Sequence, residues 1–164
     1  MKKSDAIQSG NVQLPYNRYT LRVKDANYGL SKSSGNPMFT LDCEIVSPQT
    51  VELADGKVGA IDGIRITHYL SITEKSLANY LETCKRLGVP DQLPDGDFDA
   101  ASLQLDKTPF VGVQFDAICS SQERELRQRP KPGQRVGDPI VDAEGKPIKS
   151  GWDYRINEIL GKVG

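Results

Sequence analysis

The sequence predicts a mostly β domain with a single helix. Short segments in which apolar and polar residues alternate indicate strands on both sides of one helical stretch. The 164 residues are enough for one domain with a substantial core. Hydrophobic residues make up 37% of the chain and charged residues 26%, which is typical of a folded globular protein rather than a disordered one. We therefore expect one domain over residues 1–164.

The helix is the best-marked element, and its position in the chain defines the fold class. It is predicted over Thr73–Leu87, where apolar residues recur at helical spacing and Gly88 supplies a stop signal. The five predicted strands are Arg18–Asn27, Met38–Ser47, Ile61–Leu70, Phe110–Ser121 and Trp152–Leu160. A helix between strands 3 and 4 of five is the order of the oligonucleotide/oligosaccharide-binding barrel, the OB-fold. Such barrels bind ligands on strands 2 and 3 and in the loops that join strands 1–2 and 4–5.

Strand 1 and the loop that follows it supply the first candidate binding residues. One face of the strand is apolar, and the opposite face presents three cations: Arg18, Arg22 and Lys24. Tyr28 lies in the flexible segment 27–37, in which Lys32 is surrounded by serines and glycine, groups able to contact phosphate. A solvated sheet face and a plain hairpin loop remain the alternatives for these two features.

Strands 2 and 3 add polar residues on the face opposite the predicted core. Asp42 and Glu44 lie two residues apart and could hold a magnesium ion, but nothing else completes a nuclease pattern, so we prefer a solvated face. Arg65 and Tyr69 share a face of strand 3, and a cation beside an aromatic ring is what a single-stranded nucleic-acid groove uses. His68 alternates with apolar residues, which predicts a core or rim position.

Charges are segregated along the chain although the net charge is only −1. Residues 91–106 contain five aspartates and no base, whereas residues 122–150 form a long loop and hairpin whose first part is strongly basic. A loop of that length is usually functional or disordered. Its candidate phosphate contacts are Arg124, Arg127 and Arg129. The only tryptophan, Trp152, stands at the loop's exit as a stacking candidate, with a core-capping ring as the alternative.

The remaining composition favours a binding protein over an enzyme. Three cysteines form no close pair and are expected to be reduced core thiols: Cys43, Cys84 and Cys119. One histidine and no catalytic or dinucleotide motif leave few residues for acid–base chemistry, a zinc site or a cofactor. The chain begins without the apolar stretch of a signal peptide, and no apolar run could span a membrane, so we expect a cytoplasmic protein. Residues 1–15 are polar and are expected to form a flexible arm.

Three segments resemble bacteriophage single-stranded-DNA-binding proteins of the OB-fold type. They are residues 14–26, the Ser31-Lys-Ser-Ser-Gly-Asn-Pro-Met loop and the acidic–apolar run from Leu41. A helix ending in Leu-Gly, as in Arg86-Leu-Gly-Val-Pro90, adds to the resemblance, which covers about residues 14–90. It implies a protein that coats DNA strands during phage replication or recombination, with proteins of those processes as candidate partners.

The chain departs from that family at its end. Many such proteins finish in an acidic tail that recruits partners, whereas no acidic residue follows Glu158 here. Either partner recruitment is lacking or residues 91–106 have taken it over.

Two functional hypotheses follow from these observations. The first is a protein that binds single-stranded DNA with little sequence preference, through a basic groove and stacking rings and without a cofactor. The second is a phage structural or assembly adaptor in which the basic loop is a protein–protein arm. A metal-dependent nuclease using Asp42 and Glu44 is a third and weaker option.

Overall fold

The computed structural model describes residues 12–53 and 56–163. Within these ranges the chain forms seven strands, one α-helix and two short 3-10 helices at Ala100–Ser102 and Thr108–Phe110. The strands before the helix are β1 (Asn17–Leu30), β2 (Pro37–Ser47), β3 (Thr50–Glu52), β4 (Val58–Ala60) and β5 (Arg65–Ser71). The helix is α1 (Leu77–Leu87), and it is followed by β6 (Gln114–Glu125) and β7 (Lys149–Lys162).

Five of the strands form one antiparallel sheet in the order β5-β2-β1-β6-β7, while β3 and β4 pair separately as a hairpin. The predicted mostly β domain with one helix and a five-stranded sheet is therefore confirmed. The closed barrel is wrong, because no hydrogen-bonded ladder joins β5 to β7 in the described part of the chain. The predicted place of the helix after the third strand of the chain is also wrong, since α1 follows the fifth strand; β3 and β4, which lie outside the five-stranded sheet, are the two additional strands before it. The two short strands of the β3–β4 hairpin were not predicted.

The ends of the helix show how local hydrogen bonds set its length. Thr73 was predicted to start the helix, but Ser76 donates its backbone N–H to the Thr73 hydroxyl at 3.1 Å and its own hydroxyl to the Ser71 carbonyl at 2.7 Å. These bonds hold residues 73–76 in a turn, so the helix begins at Leu77. Gly88 ends the helix as predicted, in the left-handed conformation that glycine adopts without strain.

The core lies on the inner face of the sheet, under α1. The inward residues of β1 (Tyr19, Leu21 and Val23) are buried as the alternation predicted. Phe39 is the centre of an aromatic cluster, with ring centroids 4.7 Å from Phe110 and 6.2 Å from Tyr80. All three cysteines are buried and unpaired, which confirms the predicted core thiols. Burial raises the pKa of Cys43 and of Cys119 to about 12, so both remain uncharged thiols.

A β-bulge reverses the faces of β1 partway along its length. The register with β2 shifts between Val23 and Asp25, so residues after the bulge point to the opposite side from what strict alternation predicts. Tyr28 consequently turns inward: its ring lies 4.9 Å from that of Phe39, and its hydroxyl donates to the Leu103 carbonyl at 3.3 Å. The prediction of Tyr28 as a stacking residue for a ligand is therefore wrong.

The start of the described chain is held against the sheet. The flexible arm was predicted over residues 1–15, of which residues 1–11 lie outside the described ranges. Leu14 is buried, and both its N–H and its carbonyl are hydrogen-bonded to the Ser121 hydroxyl, at 2.8 and 3.0 Å. Residues 12–15 thus belong to the packed domain, which corrects that part of the prediction. No described helix is long and apolar enough to cross a membrane.

The long basic loop is more ordered than expected. Residues 122–125 extend β6, so the predicted loop 122–150 shortens to residues 126–148, which we call the β6–β7 arm. Three backbone hydrogen bonds of 2.8–2.9 Å hold the arm together at its base. The N–H of Leu126 donates to the carbonyl of Ile148, that of Ile148 to Ile140, and that of Ile140 to Leu126. The arm also contains two isolated β-bridges, Arg127 with Pro139 and Val141 with Pro147, so it has a defined local structure.

Candidate nucleic-acid interface

A surface cleft of about 590 Å³ lies where the start of β5 approaches the start of β7. Arg65 and Tyr69 enter it from β5, Arg124 from the end of β6, and Trp152 from β7. Four of the residues predicted to bind nucleic acid therefore share one site, although 87 residues separate Arg65 from Trp152 (152 − 65) in the chain. We call this site the β5–β7 cleft.

Aromatic rings are the first chemical feature of the cleft. Tyr69 is 58% exposed, because it lies opposite Thr40 on the outer face of the sheet while Ile66 and Leu70 point inward. Trp152 is half-buried at the cleft wall. An exposed ring flanked by a second, better-supported ring offers faces on which bases can stack.

Tyr154 is a third ring of the cleft, which sequence reasoning did not single out. Its hydroxyl donates to the Val12 carbonyl at 2.7 Å, and burial raises its pKa. The hydroxyl is therefore anchored to the N-terminal segment and only part of the ring faces the cleft. The sequence could have indicated Tyr154, because it lies two residues after Trp152 and side chains two apart share one face of a strand.

Two arginines with exposed partners are the second feature. Arg65 pairs with Asp42 at 2.6 Å, and the two side chains are 51% and 42% exposed. Arg124 pairs with Asp153 through Nε at 2.8 Å and Nη2 at 2.7 Å, with exposures of 57% and 62%. Exposed pairs of this kind are worth at most about 1 kcal/mol, so each guanidinium can exchange its carboxylate for another anion.

The strand-1 cations are held more firmly and do not line the cleft. Asp116 is only 20% exposed and accepts hydrogen bonds from the Thr20 hydroxyl at 2.6 Å and from Arg18 at 2.5 Å, which hold the pKa of Asp116 below its usual value. Glu44 is 16% exposed, and Arg22 at 2.9 Å and Lys24 at 3.6 Å neutralise it. The hydrogen bond from Arg22 lowers the pKa of Glu44. These pairs join neighbouring strands and are structural in character.

Three further predicted residues lie away from the cleft. Lys32 is exposed in the turn between β1 and β2, and Arg129 is exposed on the arm; neither has an ion-pair or hydrogen-bond partner among the residues that the structure describes. Arg127 donates to Glu125 at 3.0 Å and to the Gly137 carbonyl at 3.1 Å, so it supports the arm. Lys32 and Arg129 remain available for a ligand that extends beyond the cleft.

The carboxylates considered for a nuclease are each paired with a protein cation. Asp42 binds Arg65 and Glu44 binds Arg22. Within residues 12–53 and 56–163, no three residues among His, Cys, Asp and Glu are grouped so that they could hold a metal ion. His68, the only histidine, lies half-buried between β5, α1 and β7, and burial lowers its pKa. Neither feature supplies a catalytic arrangement.

Chemically, the β5–β7 cleft can bind a ligand that combines anionic groups with flat rings. Its arginines can bind anions and its rings can stack, and these are the two contacts that single-stranded nucleic acids need. No protein-family model and no curated protein matches the sequence. The function is therefore argued from the geometry of the cleft.

Proposed function

We propose that the protein binds single-stranded DNA with little sequence preference. The observation that carries this proposal is the convergence of Tyr69, Trp152, Arg65 and Arg124 in the β5–β7 cleft. Bases stack on the rings while the arginines bind the phosphates that link them. Stacking tolerates any base because every base has a flat face, so low sequence preference is the natural consequence.

The architecture supports an OB-fold-like barrel as the finer description of the sheet. Renumbering the five sheet strands in chain order gives the order 3-2-1-4-5, with the helix between the third and the fourth. OB-folds are partly open barrels, and here the two edge strands β5 and β7 approach each other without a ladder. The cleft lies at that opening. Lys32 and the β6–β7 arm belong to the loops 1–2 and 4–5, which such folds use to extend the binding surface.

The biological setting that we propose is phage DNA replication or recombination inside the host cell. It rests on the resemblance of residues 14–90 to phage single-stranded-DNA-binding proteins, a stretch that holds β1 to β5 and α1. Replication or recombination proteins are the candidate partners. The reaction is binding alone, so no catalytic group or cofactor enters the proposal.

The direct test is titration of tryptophan fluorescence with oligo-dT at two salt concentrations. Trp152 is the only tryptophan, so any change reports on the cleft itself. We expect saturable quenching as bases stack near the indole, and weaker binding at the higher salt. Double-stranded DNA of the same length serves as the control, since its paired bases cannot stack in the cleft. Equal affinity for both forms would contradict the stacking mechanism.

A phage structural or assembly adaptor is the second candidate, and one observation favours it. The β6–β7 arm exposes apolar side chains, with Leu126 37%, Val136 56% and Val141 52% exposed. Exposed apolar residues on a projecting arm suit a protein–protein contact better than a phosphate contact. Co-purification with virions that is lost when the arm is shortened, together with no oligonucleotide binding, would favour this second function.

A further inference from the structure

The arginine–carboxylate pairs on this face of the protein differ in how easily they can exchange. Asp116 and Glu44 are only 20% and 16% exposed and each has two partners, so these two carboxylates are held between neighbouring strands. Arg124 and Asp153 are both more than half exposed, and both of their hydrogen bonds use the same carboxylate oxygen, Oδ1. The Arg124–Asp153 pair is therefore easier to open than the pairs that hold Asp116 and Glu44.

Asp153 has a second property that the other carboxylates lack. It is the one acidic residue among those that line the β5–β7 cleft in the described chain. Its neighbours there include Trp152 and Tyr154, the rings on which a base would stack. A phosphate bound to Arg124 would therefore lie close to this carboxylate.

We infer that Asp153 competes with DNA phosphate for Arg124 and thereby sets the affinity of the cleft. The inference rests on the proposed function. When a phosphate takes the guanidinium, the carboxylate of Asp153 loses its partner and repels the bound phosphate across a few ångströms of partly screening solvent. Each binding event exchanges one protein anion for one DNA anion, so the net gain in charge pairing is small.

The same exchange reduces the dependence of binding on salt. A cation that neutralises a phosphate of a single strand normally contributes about −0.7 to the slope of log affinity against log salt. At Arg124 the freed carboxylate attracts a salt cation in turn, which offsets the counterion released from the DNA. Removing the carboxylate should restore the full contribution.

The test compares Asp153→Asn with Glu158→Gln, a matched control that removes one negative charge from the same strand. Glu158 is 57% exposed and pairs with Arg86 at 3.5 Å, but it lies roughly 16 Å along β7 from Asp153, beyond the screening length of about 10 Å in 0.1 M salt. For Asp153→Asn we expect about fivefold tighter binding of oligo-dT in 0.1 M salt and a slope steeper by up to about 0.7. For Glu158→Gln we expect affinity within about 1.5-fold of wild type, because the charge is screened.

The outcomes separate this inference from the function on which it rests. If wild type binds oligo-dT and Asp153→Asn binds no tighter than Glu158→Gln, or with an unchanged salt slope, the inference is overturned and the proposed function stands. Weaker binding by Asp153→Asn would also overturn it, since it would show that Asp153 positions Arg124 for DNA. If neither wild type nor Asp153→Asn binds, both the function and the inference fail. Thermal unfolding of both variants checks that a changed affinity does not come from a changed fold.

Discussion

Replacing Tyr69 by alanine tests whether the exposed ring of β5 binds DNA or supports the fold. Tyr69 is 58% exposed and faces Thr40 across the sheet, so folding gains only a cross-strand contact worth about 0.2–1 kcal/mol from it. A stacked base, in contrast, is worth about 1–3 kcal/mol. We therefore expect Tyr69→Ala to weaken oligo-dT binding roughly 5- to 150-fold while the melting temperature falls by less than about 4 °C.

Phe115→Ala is the matched control for the opposite behaviour. Phe115 lies on β6 with its side chain fully buried, and removing a buried phenylalanine costs about 3–5 kcal/mol of folding free energy. Thermal unfolding and oligo-dT titration give a melting temperature and an affinity for each of the two variants. If folded Tyr69→Ala bound as tightly as wild type, stacking in the β5–β7 cleft would be refuted. A large stability loss in Tyr69→Ala would refute its placement on the outer face.

Three further predictions concern the arm, the N-terminal segment and pH. Replacing Arg124, Arg127 and Arg129 by alanine should weaken oligo-dT binding severalfold with a stability loss of no more than about 2 kcal/mol. Their ion pairs are exposed, and the firmest further bond that is lost is the one from Arg127 to the Gly137 carbonyl. Unchanged affinity would exclude the three arginines as phosphate contacts. Leu14→Ala should lower the free energy of unfolding, measured in urea titrations, by about 2–5 kcal/mol, since Leu14 is fully buried. An unchanged free energy of unfolding would show that residues 12–15 do not pack against the sheet. Hydrogen bonds from Thr20 and Arg18 depress the pKa of Asp116 in the folded state. The ionised Asp116 therefore stabilises the fold above the unfolded-state pKa of about 3.9, and this stabilisation is lost as the pH falls below that value. Urea unfolding of Asp116→Asn should show less of this acid dependence than wild type.

Alternation of side chains predicted the parts of the fold that depend on neighbouring residues. The inward Tyr19 and Leu21 and the outward Tyr69 follow from a period of two, and Gly88 ends the helix for a local conformational reason. These features need no knowledge of which strands pair. They account for the correct number of sheet strands and for the side of the cleft that β5 forms with Arg65 and Tyr69.

Features that depend on pairing between distant segments could not be predicted in this way. The bulge after Val23 arises in the ladder with β2, and one extra residue is enough to turn Tyr28 from the outer face into the core. Similarly, Arg18 meets Asp116 across 98 residues, so a cation that the sequence presents as free is neutralised in the fold. Strand 1 carries positive charges in the sequence, whereas the fold leaves the exchangeable arginines in the β5–β7 cleft.

Whether the β5–β7 cleft binds single-stranded DNA can be measured through the fluorescence of Trp152 during titration with oligo-dT. Binding through the cleft predicts saturable quenching, with a logarithm of the affinity that falls linearly as the logarithm of the salt concentration rises. A fluorescence signal that stays constant at every oligo-dT concentration in low salt would contradict the claim.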